Sequence, residues 1–399
     1  MNQSEGNYPP ATKGKLIVWG LLGSYPFGGM TWQVLHYLVG LRRLGFDVWY
    51  VEDSDAEVRD PVTLWPSSDY AGNLEYLDRQ MQSVGLGDRW IFRPPGTYDR
   101  CFGAADIAGL DRLYAEADAA LNLCGSHRLR PEQVSINCLV YLETDPVPMQ
   151  IGIANGDESL VSHMENYNFL FTYADNIMSD DCLIPVERFR WHPTRPPVCV
   201  DWWDAVNAVD HEAAFTTIAR WKHTGNDVVW KGEQWRWSKH HEFLRFLNLP
   251  SRSSLPLELS VTGISDDDAG QLQQHGWRLR PAEDLSDPVS YHDYICASLG
   301  EFTAAKEQYV RPRTGWFSDR SVCYLAAGRP VITQDTGFGN TIATGEGLFA
   351  FSTEDEALAA IDAVAADYAR HSRGAKAVAR EYFDTSCVLG DLLRVVGLL

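Results

Sequence analysis

The stretch RPRTGWFSDRSVCYLAAGRPVITQDTGFG, residues 311–339, decides the fold prediction because it joins a loop, a short helix, a buried strand and a second glycine-rich loop. Three of its side chains, Ser318, Asp319 and Ser321, carry oxygens that can accept hydrogen bonds from the unpaired amides of a first helical turn. The predicted helix spans 319–327 and ends at Gly328, where a left-handed conformation is favourable.

A short apolar strand follows at 330–333, of the kind found in a parallel sheet covered on both faces. Open α/β sheets bind ligands at the carboxyl ends of their strands, and here that position is taken by Thr336, Gly337 and Phe338. A helix N-terminus attracts anions, and the sequence adds the cations Arg311, Arg313 and Arg320. We therefore predict a phosphate or diphosphate site. The alternative is an ordinary αβ unit with arginines on a solvated rim.

Length and composition restrict the class of protein. A chain of 399 residues predicts two domains, and 45% hydrophobic with 22% charged residues is typical of a soluble globular protein. The formal net charge of -20 argues against a nucleic-acid partner. An anionic small ligand requires a local basic pocket within this acidic protein.

Targeting and redox signals are weak. The N-terminal residues MNQSEGNYPPATKGK lack an apolar core, and no apolar run is long enough to span a membrane. The eight cysteines are scattered without a CxxC pair, which predicts neither a zinc site nor a disulfide framework. We expect a cytoplasmic protein without membrane insertion or a bound metal.

The first half alternates strands and helices, which predicts a parallel sheet. Strands are predicted at 15–22, 47–53, 90–93, 119–125, 138–144 and 169–174, with helices at 31–44 and 109–119. Gly28 and Gly29 lie just before the first helix, where a side chain would block the approach of a ligand to the backbone. The glycines do not form a GxGxxG fingerprint, and a plain tight turn is the alternative.

Two carboxylates, Glu143 and Asp145, end the strand at 138–144. Either could act as a general base if its pKa lay near neutral pH. The alternative is that Asp145, which precedes Pro146, shapes a turn.

A proline-rich stretch without periodicity, 189–203, predicts a linker with a domain boundary near residue 205. Beyond it, strands are predicted at 215–219, 228–231, 257–262, 277–280, 293–299, 330–333 and 348–352, and helices near 239–247, 267–275, 319–327 and 354–370. Lys231 and Lys239 are candidates to reach a diphosphate. A last apolar helix, 387–399, requires a large packing partner.

Three segments resemble the two-Rossmann glycosyltransferases of the GT-B fold: SYPFGGMTWQVLHYLVGLRRLGFDVWYVED, YLAAGRPVITQDTGFG and GEGLFAFSTEDEALAAI. The second is similar to the helix, strand and loop that cradle the donor in the retaining enzymes called glycosyltransferase group 1. The third is similar to the segment that follows in that family and leads into the C-terminal helices. The resemblance implies two Rossmann-like domains facing each other across a cleft, with the C-terminal helix crossing back to the N-terminal domain. It places an acceptor-binding domain at 1–205, a donor-binding domain at 206–383 and the returning helix at 384–399.

The implied function is transfer of a sugar from a nucleotide-diphosphate donor to a small-molecule acceptor, for example a specialised metabolite, without a bound cofactor. Negative charge grows on the departing diphosphate, and cations stabilise it where it develops. We assign a catalytic role to Arg320 on this ground, and to Asp145 as the base of an inverting reaction. The predicted donor-binding residues are Gly28, Gly29, Lys231, Lys239, Arg313, Ser318, Asp319, Ser321, Thr336, Gly337 and Phe338.

The chain departs from the group 1 pattern at one place. Those enzymes usually carry two glutamates eight residues apart, and the matching positions here are Gly315 and Cys323, with Ser318 on the glycine between them. Two alternative functions remain at this stage: a nucleotide-sugar epimerase of the same fold, and a non-enzymatic two-domain solute-binding protein. The donor's base and sugar, the acceptor, the stereochemistry and the oligomeric state are not predicted.

Overall fold

Two parallel sheets organise the chain. A computed structural model describes residues 8–186, 188–203 and 213–399. The predicted domain boundary near 205 falls at 204–212, outside the described residues. The strands of the described part are β1 Lys15–Trp19, β2 Asp47–Glu52, β3 Trp90–Phe92, β4 Phe102–Gly103, β5 Ala119–Leu123, β6 Leu139–Glu143, β7 Phe169–Thr172, β8 Trp191–Pro193, β9 Phe215–Arg220, β10 Val228–Trp230, β11 Glu233–Trp235, β12 Leu257–Thr262, β13 Arg278–Pro281, β14 Gly300–Thr303, β15 Val331–Gln334 and β16 Leu348–Phe351.

The first sheet has the order β4-β3-β2-β1-β5-β6-β7-β8 and the second the order β13-β12-β9-β14-β15-β16. Neighbouring strands are parallel in both sheets except for β3 and β4. Sequences with alternating strands and helices form such sheets because the crossover helices cover both faces. The predicted α/β class with two Rossmann-like sheets is confirmed.

Helices pack on both sheets. Their bounds are α1 Gly28–Arg43, α2 Ala71–Ser83, α3 Ile107–Glu116, α4 Pro131–Val134, α5 Pro148–Ala154, α6 Glu158–Met164, α7 His240–Phe243, α8 Leu249–Arg252, α9 Asp266–Gln274, α10 Pro288–Ala297, α11 Glu307–Val310, α12 Asp319–Ala326, α13 Glu354–Ala366, α14 Tyr368–Val378 and α15 Thr385–Val396. In the described part, no helix is both long and apolar enough to cross a membrane.

The last helix, α15, returns to the first half, as predicted. Its buried side chains Leu389, Leu392 and Leu393 belong to the same apolar core as the first sheet and α1. The contact is close at Gly40 of α1, where an added Cβ would lie 2.5 Å from a Leu389 methyl group. A glycine is therefore required for the two helices to meet.

One strand prediction in the second half was wrong, and another strand lies outside the main sheet. The segment 293–299 lies mostly in α10, because the Asp287 carboxylate accepts hydrogen bonds from the Val289 and Ser290 amides at its start and Pro288 suits a first helical turn. The strand of this region is β14, which the sequence did not reveal. The segment 228–231 does form a strand, but β10 pairs with β11 in an antiparallel hairpin outside the parallel sheet.

The linker prediction for 189–203 was wrong at its start. Residues 191–193 form β8, which pairs with β7 as the edge strand of the first sheet. Proline is tolerated there because an edge strand has a free side. Farther on, Val198 donates a backbone hydrogen bond to Phe383 and accepts one from Thr385, so the segment is tied to the C-terminal helices.

Candidate active site

A cleft of about 860 Å³ lies between the carboxyl ends of the two sheets. From the first half it is lined by Asp145, just after β6, and by Gly28 and Gly29 of α1. From the second half it is lined by Arg220 at the end of β9 and Thr262 at the end of β12. This is where open α/β sheets bind ligands.

The lining is basic although the protein is acidic. In the described part, five cationic side chains line the cleft against two carboxylates, those of Asp145 and Glu283. The cations are Arg59, Arg220, Lys239, Lys306 and Arg320. A low-dielectric cleft lined by one sign of charge concentrates ligands of the opposite sign, so the local basic pocket required for an anionic ligand is present.

Lys239, just before α7, is the cation of the cleft with the least protein compensation. Its ammonium lies 5.5 Å from the centroid of the Trp316 ring, and no oxygen of the described residues accepts a hydrogen bond from it. Burial, together with repulsion from Arg320 and Lys306, holds its pKa well below the ordinary value for lysine. A half-buried cation without an acceptor is unfavourable in the empty protein, and a bound anion would reduce that cost.

Arg320, in the first turn of α12, is held rigidly in the wall of the cleft. Its Nε donates to Glu301 Oε1 at 2.5 Å, its Nη1 to the Ile218 carbonyl at 2.6 Å and its Nη2 to Thr303 Oγ1 at 3.0 Å. Glu301 is fully buried, and its other carboxylate oxygen has no partner in the described part. The guanidinium therefore compensates a buried carboxylate as well as facing the cleft.

Asp145 joins the two halves across the cleft. Its Oδ1 accepts from Lys306 Nζ at 2.7 Å and from the Tyr309 hydroxyl, and the Lys306 ammonium lies 3.1 Å from the Trp237 ring centroid. The Asp145 side chain is 48% exposed. Partial desolvation by the cleft walls raises its pKa, but the attraction and hydrogen bonds of Lys306 and Tyr309 outweigh that effect, so the pKa lies below its usual value.

Neither of the two predicted bases both lines the cleft and has a pKa suited to a general base. Asp145 lines the cleft but is an ion-paired carboxylate of low pKa, whereas a general base works best with a pKa near the working pH. Glu143 has a pKa raised to about 8 by burial. Its carboxylate is buried, however, and accepts from Gln150 Nε2 and Thr172 Oγ1, both at 2.6 Å.

At Gly28 the missing side chain leaves room for another segment of the protein, and not for a ligand. A Cβ added there would lie 2.9 Å from Tyr291 Cβ and 3.0 Å from the Leu285 carbonyl oxygen. Since real Cβ contacts are longer, Gly28 lets the start of α1 lie directly against the second half. Gly29 faces the cleft with Tyr291 at ordinary contact distance.

Two of the three predicted anion-binding residues at the start of α12 have structural partners instead. The Ser318 hydroxyl accepts from the Arg320 amide at 3.3 Å as the N-cap. The Tyr173 hydroxyl donates to Asp319 Oδ1 at 3.2 Å, which ties α12 to the first half, and burial raises the pKa of Asp319 to about 6. Ser321 lies within α12 and is buried, and its hydroxyl has no hydrogen-bond partner in the described part. The cleft lining does not include any of these three residues.

The predicted donor loop also holds the halves together rather than lining the cleft. Arg313 pairs with Asp181 of the first half at 2.7 Å and with Asp335 at 3.3 Å. Gly337 has a φ of 93°, and a Cβ there would lie 3.1 Å from the Arg313 carbonyl oxygen. Thr336 Oγ1 donates to the Trp316 carbonyl.

Phe338 is buried against Phe317. Lys231 lies apart from the cleft, at the exposed turn between β10 and β11. The predicted residues that the structure brings together in the cleft are thus Gly28, Gly29, Asp145, Lys239 and Arg320.

Lining residues missed from the sequence include Arg220, Lys306, His223, Trp237 and Glu283. Lys306 was missed because it follows β14, the strand that the sequence did not reveal. Arg220 is the last residue of β9, so the rule that ligands bind at carboxyl ends would have selected it. The described part brings together no group of three or more His, Cys, Asp or Glu side chains suited to hold a metal ion.

No protein-family model and no curated protein matches the chain. Solved structures match it over nearly its whole length. An alpha-glucosyltransferase in complex with UDP and a 13-mer DNA containing an HMU base has a TM-score of 0.57 at 10% identity, covering 96% of this chain and 99% of that one. Anabaena HepE in complex with UDP has a TM-score of 0.55 at 12% identity, covering 97% and 100%. AviGT4, a glycosyltransferase involved in avilamycin A biosynthesis, has a TM-score of 0.53 at 11% identity, covering 96% and 97%.

These neighbours are GT-B glycosyltransferases, and the likeness establishes the GT-B fold for this chain. The structure also explains its departure from the group 1 pattern. Gly315 has a φ of 76°, and a Cβ there would lie 2.5 Å from the Asn176 amide nitrogen, so a glutamate cannot occupy the position. Cys323 is buried, and its thiol donates to the Asp319 carbonyl.

The prediction that the chain has no nucleic-acid partner, which was based on its net charge, was wrong. A protein with the same fold forms a complex with UDP and DNA, so neither fold nor overall charge rules out such a partner. The net charge of the whole molecule does not determine whether one surface binds nucleic acid, since binding depends on the charges that line the contact surface.

Proposed function

We propose that the chain is a glycosyltransferase (EC 2.4) that moves a sugar from a nucleotide-diphosphate donor to a small-molecule acceptor such as a specialised metabolite. The observation that carries the proposal is Lys239, a half-buried cation without an acceptor among the described residues, in a basic cleft of a GT-B fold. The neighbours in complex with UDP support the donor class.

The donor's diphosphate would lie between Lys239 and Arg320, with Arg220 beside it. When the sugar–phosphate bond breaks, charge develops on the departing diphosphate. Cations that the protein already holds in place stabilise that charge without reorganising. The network around Arg320 holds its guanidinium in place before the donor binds, which is the preorganisation that such catalysis requires.

The two halves would divide the work. We propose that residues 1–205 bind the acceptor, that 206–383 bind the donor and that the helix within 384–399 fixes their arrangement. Because Asp145 is paired with Lys306 and Tyr309 of the second half, its proposed part is to set the position of Lys306 and to receive a proton only when that pair opens. The cations of the cleft would serve the diphosphate in place of a bound metal.

The proposal can be tested with a panel of nucleoside diphosphates and their sugars. The melting temperature should rise with at least one diphosphate, because a ligand that binds only the folded state stabilises it. The matching nucleotide sugar should then release the diphosphate faster when an acceptor is added. Conversion of the sugar without an acceptor would instead indicate an epimerase. A chain indifferent to every nucleotide would contradict the proposal.

A further inference from the structure

The mouth of the cleft carries an apolar surface on the loop between β2 and α2. Trp65 is 73% exposed and Val62 is 87% exposed, and Leu64 and Trp65 line the same cleft as Lys239 and Arg320. Large apolar side chains exposed next to one another at a cleft are unfavourable in water, and such patches mark ligand or partner sites.

The loop that presents these side chains is braced. The Arg59 amide donates to the Ser24 carbonyl, and Asn73 Nδ2 donates to the Arg59 and Gly23 carbonyls, both at 2.7 Å. Arg59 Nη1 donates to the Leu64 carbonyl at 3.1 Å. The surface is therefore tied to the loop that leads into α1, and little order would be lost on binding.

Leu64 has a strained backbone conformation that the loop maintains. Its φ is 62°, in the left-handed region that leucine rarely adopts. Such strain persists only where surrounding contacts enforce it, and it is concentrated at ligand sites. Here the hydrogen bonds of Leu64, its carbonyl to Arg59 and its amide to the Asp60 carbonyl, hold that conformation.

The polar groups of the loop already form hydrogen bonds with one another. Asp60 Oδ1 accepts from the Val62 amide, the Thr63 amide and the Thr63 hydroxyl. Thr63 Oγ1 accepts from the Trp65 amide, and the Arg59 guanidinium also pairs with Glu57. What the loop offers a ligand is apolar area, so a sugar or a phosphate backbone would find few unsatisfied partners on it.

We propose that Trp65 and Leu64 form the acceptor platform, and that the acceptor is a hydroxylated compound with a flat apolar ring. This rests on the proposed function. The ring would stack on the Trp65 indole while the acceptor hydroxyl points into the cleft toward the donor sugar. Aromatic faces bind flat rings in offset or edge geometries with large buried area.

The test uses 4-methylumbelliferone as the probe and methyl glucoside as a polar counterpart, each titrated in the presence of a saturating nucleoside diphosphate. The wild-type protein should bind the umbelliferone and not the glucoside. Trp65→Ala should weaken that binding about tenfold or more, and Trp65→Phe should retain most of it. Tyr98→Ala is the matched control, because Tyr98 is 66% exposed but does not line the cleft.

The outcomes separate this inference from the proposed function. Trp65→Ala should keep the full melting shift with nucleoside diphosphate, since the diphosphate is placed at Lys239, Arg220 and Arg320 and the substitution leaves these three side chains unchanged. If the wild-type protein shows that shift but binds the glucoside, or binds a 13-mer DNA through Trp65, the proposal of a flat-ring acceptor is wrong. The proposed glycosyltransferase function is then unaffected. If no nucleotide shift occurs, the proposed function itself fails. Equal umbelliferone binding by Trp65→Ala and wild type would overturn the platform.

Discussion

Replacing Lys239 by methionine should separate nucleotide binding from stability. The change removes a cation that lacks an acceptor in the described part and leaves an apolar chain of similar volume against Trp316. A charge-assisted hydrogen bond contributes about 1.5–3 kcal/mol, so the dissociation constant of the diphosphate should rise about 13- to 160-fold. At a concentration of 100 times the wild-type dissociation constant, the ligand stabilises the wild type by about 2.7 kcal/mol. The same concentration should stabilise the variant by only about 0.3–1.3 kcal/mol.

The same substitution should make the empty protein more stable at neutral pH. The folded-state pKa of Lys239 is depressed, so the unfolded chain binds the proton more tightly than the folded one. This cost is fully present below the folded-state pKa and disappears as pH rises toward the unfolded-state value. The stabilisation of Lys239→Met over wild type should therefore shrink at high pH.

The assay is a titration of each variant by calorimetry, with urea unfolding in the presence and absence of nucleoside diphosphate. Lys239→Arg retains a cation and should keep most of the affinity. Lys231→Met removes a lysine from the exposed hairpin turn and should change neither quantity. Unaltered affinity in Lys239→Met, or a loss of the same size in Lys231→Met, would refute the placement of the diphosphate at Lys239.

Three further results are expected. Arg320→Met should lower the free energy of unfolding by about 3–5 kcal/mol because it leaves Glu301 buried and unpaired; urea unfolding of the double variant with Glu301→Leu should recover much of that loss, and no recovery would contradict the pairing. Gly315→Ala should lower the melting temperature more than Gly232→Ala, since both residues have positive φ but only Gly315 has a neighbour, Asn176, in the way; equal losses would argue against that contact. The unfolding free energy should fall between about pH 5 and 8 as Glu143, whose pKa is raised to about 8, is forced to ionise, and a pH series on Glu143→Gln should show a smaller fall; an identical profile would assign the pH dependence elsewhere.

The sequence predicted the architecture well because its signals are local. The apolar run of β1 and the helical spacing of apolar residues in α1 each lie within a single element, and both elements appear where expected. Helix α10 shows the limit of this approach. Its C-terminal part lies in DYICASL, residues 293–299, which is apolar enough for a strand. The cap from Asp287 and the burial of Tyr291 and Ile295 on one face favour a helix instead. Such a choice depends on the neighbouring segment and on packing.

The site was predicted only in part because its residues are selected by contacts between distant segments. Lys239 and Arg320 were found from charge near predicted helix starts. Arg313 has the same sequence signal, yet it is taken up by Asp181, which lies far away in the chain. Asp145 was chosen for its position after a strand, and its low pKa comes from Lys306 across the cleft. No local pattern records these partners.

The return of α15 to α1 has a consequence for synthesis on the ribosome. The apolar groove around Gly40 of α1 is filled by Leu389, more than three hundred residues later in the chain. A nascent polypeptide therefore exposes that groove until residues 385–396 have emerged, and the first sheet cannot complete its core by sequential folding. A chain truncated before α15 should depend on chaperones and aggregate through the uncovered face of its first helix.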